Sequence, residues 1–278
     1  MKLCRFGKDG AERAGLVDAQ GVLRSLEGHV ADITPDKLAP EHLARLAGLD
    51  PASLPVVAGP VRYGVPVAGI GKYICIGLNY RDHAQEAGLA IPPEPIIFLK
   101  AISALCGPDD GILPPVGSTR LDWEVELAVI IGSRASNVAE DAAPEHVAGY
   151  CVANDVSERA FQMQSSQWDK GKGCDTFGPL GPWLVTRDEV PDPQNLGLWL
   201  DVNGRRMQAG NTCNMIFPVA EIVSYVSRYM TLLPGDVIAT GTPPGVGMGM
   251  RPPVYLQAGD VVELGIDGLG RQRQIVAG

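Results

Sequence analysis

The residues of this 278-residue chain best suited to chemistry are acidic. Glu124 and Glu126 lie two apart in DWEVELAVIIG, and side chains two apart on a strand point the same way. The opposite face of that run, through Trp123, Val125 and Leu127, is apolar. Two carboxylates side by side on a half-buried strand repel each other and are costly to desolvate. A cation relieves both problems. Asp155, at the end of the apolar run AGYCVAND, offers a third oxygen ligand. An all-carboxylate set selects a hard cation, Mg2+ or Mn2+, with water filling the remaining positions. Glu-x-Glu is also a common pattern on a solvated strand, and spacing alone leaves both readings open.

A second pair lies upstream. His83 and Glu86 are three apart in YRDHAQEAG, a short helical segment, so they share one face. A carboxylate beside an imidazole orients it and raises its basicity, which suits deprotonation of a water. The alternative is two exposed polar residues on a surface helix. His29, His42 and His146 sit in plain polar contexts and take no role. Groups for an anion are also present. Lys172 is flanked by glycines in DKGKGCD, and Lys100 ends the strand IIFLK. Arg159 and Gln162 follow Asp155 where a helix begins. ATGTPPGVG offers backbone N–H groups and the Thr242 hydroxyl to a carboxylate. That loop lacks the Gly-Lys-Ser/Thr end of a phosphate loop, and no strand–turn–helix follows GVGMG, so nucleotide binding is not indicated.

The elements that must hold these groups are mostly strands. Gly (34) and Pro (23) make up about a fifth of the chain, against roughly 12% in average proteins. That content excludes a helical bundle, and 45% hydrophobic residues exclude disorder. A net charge of −9 leaves no electrostatic footprint for nucleic acid. No apolar run is long enough for a signal-peptide core or a membrane span. The six cysteines are irregularly spaced, without Cys-x-x-Cys, which predicts reduced thiols in a cytoplasmic protein. Residues 1–70 read as a small α+β domain: short strands, an amphipathic helix from about Pro40 to Leu49, then a Pro/Gly-rich linker. Residues 71–278 read as the catalytic domain. Asn203-Gly204 predicts a hairpin turn. Gly88 predicts a helix end. Ser157 suits a helix N-cap. Helical spacing over Phe217–Leu232 puts Ile222, Val226 and Tyr229 on one stripe. The fold class is mainly β (α+β), a sandwich or barrel-like arrangement.

Taken in order, YICIGLNYRDHAQE, IIFLK, DWEVELAVIIG, AGYCVANDVSERAFQ, KGKGCDTFGPLGPWLV and GDVIATGTPPGVG resemble the fumarylacetoacetate hydrolase family over about residues 70 to 275. The first 70 residues resemble the small extra domain of its longer bacterial members. DWEVELAVIIG, QWDKGKGCDTFGPLGPWLVT, VPDPQNL and TGTPPGVGMGMRPPVYL look closest to the branch of 2,4-diketo-3-deoxy-L-rhamnonate and L-fuconate hydrolases. The resemblance implies a mixed β-sandwich roll and a homodimer. It implies that Glu124, Glu126 and Asp155 ligate Mg2+ or Mn2+, and that His83 and Glu86 form a water-activating dyad on a lid helix. Lys172 matches the family's active-site lysine, and Arg159, Gln162 and Thr242 match pocket positions; Lys100 joins them as an expected substrate contact. The founding hydrolase draws a further acidic metal ligand from elsewhere in its chain, and this sequence shows no equivalent. The implied reaction cleaves the C3–C4 bond of a 2,4-dioxo acid to pyruvate and a second acid, L-lactate for the rhamnonate. Rival readings on the same site are acylpyruvate or fumarylpyruvate hydrolysis, oxaloacetate decarboxylation, and isomerisation or hydration of aromatic-acid catabolites. A non-catalytic sugar-acid binding module is the rival from another class.

Overall fold

Short β-prone runs separated by glycine turns open the chain. β1 (Lys2–Phe6), β2 (Arg13–Val17) and β3 (Leu23–Ser25) form an antiparallel meander, followed by α1 (Pro40–Ala47), with proline in its first turn. The computed structural model describes all residues, Met1–Gly278. β4 (Tyr73–Gly77) is buried throughout and leads into α2 (Arg81–Ala87). That helix stops at Gly88, whose φ of 67° is the left-handed cap expected from sequence. β5 (Ile96–Lys100), β6 (Leu105–Cys106), β7 (Leu121–Asp122), β8 (Val125–Ile131) and β9 (Val147–Asn154) follow. Next come β10 (Ser157–Glu158), α3 (Arg159–Gln162), α4 (Asp169–Lys172) and β11 (Gly178–Thr186). β12 (Gly197–Val202) and β13 (Arg205–Asn211) are joined through Asn203 and Gly204, both with positive φ as the hairpin requires. α5 (Val219–Tyr229), β14 (Val237–Ala239), β15 (Val261–Ile266) and β16 (Gly270–Ile275) complete the chain.

The strands make two main sheets. The large one runs β3-β2-β1-β11-β9-β8-β14-β4-β5, with β6 also paired to β11. It is mixed, because β14–β4 and β6–β11 are parallel while the other pairs are antiparallel. The second is the antiparallel sheet β13-β12-β15-β16. β8 shows how the sandwich closes. Leu127, Val129 and Ile131 face a core shared with Leu200 and Leu264 of the second sheet and Val223 of α5. Ala128 and Ile130 face the other core, built with Leu3, Leu26 and Leu38. A strand covered on both faces reads as an unbroken apolar run, which is what LAVII is. Truncating Leu127, fully buried here, would cost about 2–5 kcal/mol.

Two local expectations change. Ser157 lies in β10, and the side chain capping α3 is that of Glu158, which accepts from the Ala160 N–H at 3.0 Å. The helical stripe of α5 runs through Ile222, Val223 and Val226, whereas Tyr229 is 64% exposed and lies tilted against the Tyr225 ring. Tyr229 is the last residue of the helix, and the core contact at this end passes to Met230 and Leu232 instead. Position 70 is not a break in the sheet. β1 pairs with β11 (Leu3 opposite Leu184), and Leu3 and Leu26 share a core with Ala128 and Val237. No helix is long and apolar enough to cross a membrane, and all six cysteines are unpaired.

Candidate metal centre and active site

Antiparallel pairing of β8 with β9 places Val125 opposite Asn154, so the next residues outward, Glu124 and Asp155, meet at the strand ends. The Asp155 N–H donates to the Glu124 carbonyl at 2.9 Å, and the Glu124 N–H donates to Asn154 Oδ1 at 3.1 Å. One oxygen from each of Glu124, Glu126 and Asp155 lies within 4.8 Å of the others. The three are 7%, 2% and 0% exposed, which rules out a solvated strand face.

Cations surround two of the three. Lys172 Nζ donates to Glu124 Oε2 at 2.8 Å and Asp155 Oδ2 at 2.7 Å. Arg159 Nη2 donates to Glu124 Oε1 at 2.6 Å, while its Nη1 reaches Gln162 Oε1 at 3.0 Å. Burial alone would raise the Glu124 carboxyl, but Lys172 and Arg159 overcome it and hold it at about 2. Glu126 is different. Its only protein donor is the Gly241 N–H, at 2.8 Å on Oε2, and no cation touches it. Burial, then Asp155 and Glu124, push it well above the usual carboxylate range. Burial lowers Lys172, yet the two carboxylates more than reverse this and raise it. A divalent cation fits this set, because it supplies the positive charge that Glu126 lacks and the oxygen ligands are hard.

Glycine brings Lys172 into place. A Cβ on Gly171 would lie 2.5 Å from the Gln162 N and 2.6 Å from the Glu158 carbonyl, so α4 packs directly onto the α3 backbone. Lys100 departs from its expected role as a substrate contact. Its Nζ donates to Asp155 Oδ1 and to the Val156 carbonyl, its side chain is fully buried, and it stands behind Asp155 outside the pocket wall. Thr242 does line the pocket, but its hydroxyl donates to the Val125 carbonyl at 2.9 Å and accepts from Gln208 Nε2 at 2.8 Å. Only one lone pair is left for a ligand.

The His83–Glu86 pair lies across the pocket. His83 Nδ1 is 3.0 Å from Glu86 Oε2, and the Gly245 N–H donates to both Glu86 oxygens at 3.0 and 3.2 Å. With Nδ1–H donating to Glu86, Nε2 keeps a lone pair for a proton. Asp82 anchors the same helix, accepting from Asn214 Nδ2 at 2.9 Å. The pocket of about 660 Å3 contains His83, Glu86, Glu124, Glu126, Arg159, Gln162, Lys172 and Thr242 in its wall. The rest of the wall is largely apolar, with Leu89, Phe98, Met163, Trp168 and Met248. A larger hollow, about 990 Å3, lies elsewhere between Trp183 and Trp199. Their rings are already covered by Lys2 and Arg206, 5.4 and 4.7 Å from the centroids, and the hollow's carboxylates, Asp109, Glu263 and Asp267, do not converge as the three of the metal centre do.

Four buried polar residues that hold the site went unassigned in the sequence. Asp122 binds Arg159 and the glycine-rich loop. Asn79 donates to the carbonyls of Phe217 and Thr240. Gln208 accepts from the Val125 N–H. Asn154 bridges Glu124 and Gln274. Only Asp122 left a trace, since it shares the alternation of Glu124 and Glu126.

Residues 72–277 match the family described as fumarylacetoacetate (FAA) hydrolase, C-terminal. A Burkholderia multivorans protein is 59% identical over 277 residues, covering 99% of this chain and 98% of its own length, and its name says only that it is provisionally a hydrolase. The solved fumarylacetoacetate hydrolase of Exiguobacterium antarcticum is 38% identical with a TM-score of 0.87, over 100% of this chain and 99% of that one. Maleylpyruvate hydrolase from Sphingobium sp. SYK-6 is 30% identical with a TM-score of 0.84, over 100% and 99%. The 2-hydroxyhepta-2,4-diene-1,7-dioate isomerase of Mycobacterium marinum is 32% identical with a TM-score of 0.76, over 100% and 98%.

Proposed function

The chain belongs to the fumarylacetoacetate hydrolase family, and we propose that it hydrolyses the C3–C4 bond of a 2,4-dioxo acid, releasing pyruvate and a second acid. The observation that carries this is the pairing of His83 with Glu86 on α2, in the wall of one pocket with Glu124 and Glu126 of the buried three-carboxylate cluster. A binding module has no use for a base set opposite such a floor. Decarboxylation of a β-keto acid needs no activated water, so the dyad favours hydrolysis.

Glu124, Glu126 and Asp155 would hold Mg2+ or Mn2+, which supplies Lewis-acid polarisation of the substrate's keto oxygen and offsets the charge of an enolate. His83 Nε2 takes a proton from water while Glu86 fixes the ring through Nδ1. The water oxygen adds to C4, the C3–C4 bond breaks, and its electron pair becomes the pyruvate enolate. The Lys172 ammonium, held by Glu124 and Asp155, stands where it can donate to that developing charge. Arg159 uses three N–H groups on Asp122, Gln162 and Glu124, leaving two for substrate oxygens. The proton taken by His83 returns to C3, so the overall change is addition of one water.

For the substrate we favour 2,4-diketo-3-deoxy-L-rhamnonate, giving pyruvate and L-lactate. Its tail ends in a methyl group, which suits the wall of Leu89, Met163, Trp168 and Met248, and the sequence runs closest to that branch support it. A second reading, hydrolysis of acylpyruvates with bulkier tails, is favoured by the pocket volume, which exceeds what a six-carbon acid fills. Comparing kcat/KM for the diketo-deoxy sugar acid, acylpyruvates, maleylpyruvate, oxaloacetate and a diene-dioate decides between these. Pyruvate release from none of them would refute the proposal. The His83→Ala variant should still bind oxalate, an enolate mimic, but not turn over; normal turnover would remove the dyad from the mechanism.

A further inference from the structure

Asp122 is fully buried and no step above uses it. Each of its two oxygens takes two donors. Oδ1 accepts from the Gly247 N–H at 2.7 Å and the Trp123 N–H at 2.9 Å. Oδ2 accepts from Arg159 Nε at 2.8 Å and the Met248 N–H at 3.0 Å. The same glycine-rich segment receives the helix that carries the dyad, through the Gly245 N–H on Glu86. A continuous set of hydrogen bonds and backbone therefore runs from His83 and Glu86, through residues 245–248, to Asp122, Arg159 and Glu124.

We propose that Asp122 is the positioning residue that registers the dyad-bearing helix α2 to the carboxylate floor. Charge neutralisation of Arg159 alone does not account for the geometry, since Glu124 already pairs with that guanidinium at 2.6 Å. What Asp122 adds is a rigid seat for two loop amides. The loop is pressed against it: a Cβ on Gly247 would lie 2.8 Å from Asp122 Oδ1 and 2.0 Å from the Val254 carbonyl. All four contacts to the side chain are donors, so only an ionised carboxylate satisfies them. An amide of the same shape would turn its NH2 toward one pair of N–H groups, and either the loop or Arg159 would lose its seat. If the loop moves, the Gly245 N–H that fixes Glu86 moves with it. Misplacement of a reacting group by about 1 Å costs on the order of 100-fold in rate.

The seat itself does not depend on the reaction; its effect on turnover rests on reading His83 and Glu86 as the water-activating pair. The test therefore has two arms, both on the full chain with Mg2+ present. In the first, hydrogen exchange is followed by mass spectrometry in peptides covering 79–90 and 244–250. Asp122→Asn should speed exchange in both by about 10-fold or more, while Mn2+ affinity stays within about threefold, because Lys100 and Lys172 still hold the floor. Unchanged exchange at 79–90 would overturn the proposal. Should Asp122→Asn fold poorly, Glu86→Ala on the exposed side of the same network should speed exchange at 244–250, and no change there would equally overturn it. The second arm is a double-mutant cycle in kcat. Asp122→Asn should lower kcat by on the order of 100-fold. Combined with Glu86→Ala it should be no slower than Glu86→Ala alone, since both act through one dyad. Multiplying losses would show that Asp122 acts elsewhere. An enzyme inactive on every dioxo acid would refute the proposed reaction and leave the exchange arm intact.

Discussion

Replacing Lys172 with methionine separates what the floor needs to fold from what it needs to react. The ammonium sits 2.8 Å from a Glu124 oxygen and 2.7 Å from an Asp155 oxygen, both buried. At an effective dielectric of about 20, each contact is worth roughly 6 kcal/mol of gross attraction, most of it offset by the desolvation of three ions. Methionine fills the space but leaves two adjoining carboxylates facing each other. Arg159 still holds the other Glu124 oxygen and Lys100 the other Asp155 oxygen, so the loss belongs at about 3–5 kcal/mol, the usual result of breaking a buried pair. At about 2–4 °C per kcal/mol, the metal-free variant should melt roughly 10 °C below the parent protein. Mg2+ at about 100 times its dissociation constant stabilises any binding protein by about 2.7 kcal/mol. In the variant the cation meets two carboxylates freed of their ammonium, so its affinity and the melting shift it produces should exceed those of the parent. Differential scanning calorimetry with EDTA and with Mg2+ reads both effects. Even with saturating Mg2+, kcat should fall by about 100- to 1000-fold through loss of the enolate's donor. Equal melting temperatures in EDTA would refute the charge argument, and unchanged kcat would refute the role at the enolate.

Glu124→Gln and Asp155→Asn should each lose Mg2+-dependent activity, measured as pyruvate release after chelation and metal add-back; full activity of the parent enzyme in EDTA would rule out the metal centre. Trp168→Ala should raise KM for a dioxo acid with an apolar tail several-fold while leaving oxalate affinity unchanged, since Trp168 packs edge-on against Phe98 in the apolar wall; a matching loss of oxalate binding would place it at the floor. The outer edge of β5 has no strand partner and exposes Ile96 and Leu99, an edge that soluble proteins cover. Sedimentation velocity should show a homodimer that Leu99→Lys weakens, and an unaltered dimer would move the interface elsewhere.

The features readable in the sequence were those set by neighbours along the chain. Alternation put Glu124 and Glu126 on one face, Gly88 ended α2, and Asn203-Gly204 turned the β12–β13 hairpin. These depend on a few consecutive dihedrals and side-chain directions. What stayed hidden is set across long stretches of chain. That Lys100 stands behind Asp155 instead of in the pocket depends on how β5 and the segment after β9 meet in space. Asn154 meets Gln274 only because β16 crosses β9. The pairing of β1 with β11, which carries the large sheet across residue 70, is a contact between residues about 180 positions apart, and no local pattern encodes it. Ser157 and Glu158 are both capable caps, and the choice fell to Glu158 because its other oxygen also serves the amides of Thr119 and Arg120.

The acidic surplus and the site obey one charge argument. The protein carries −9 and its proposed substrate is an anion, so long-range attraction cannot draw the substrate in. Locally, four carboxyl groups, Asp122, Glu124, Glu126 and Asp155, meet three cations, Lys100, Arg159 and Lys172. The one group that no cation touches, Glu126, is also the one whose ionisation burial and its acidic neighbours oppose. With all four carboxyl groups ionised, the seven residues sum to one negative charge, which a divalent cation would reverse. Such a reversal would favour a substrate carboxylate at the floor, acting within the roughly 8 Å over which physiological salt lets charges act. Metal before substrate is then the order of binding that the electrostatics of these seven residues favour, with Lys172 and Arg159 committed to holding the floor until the anion arrives.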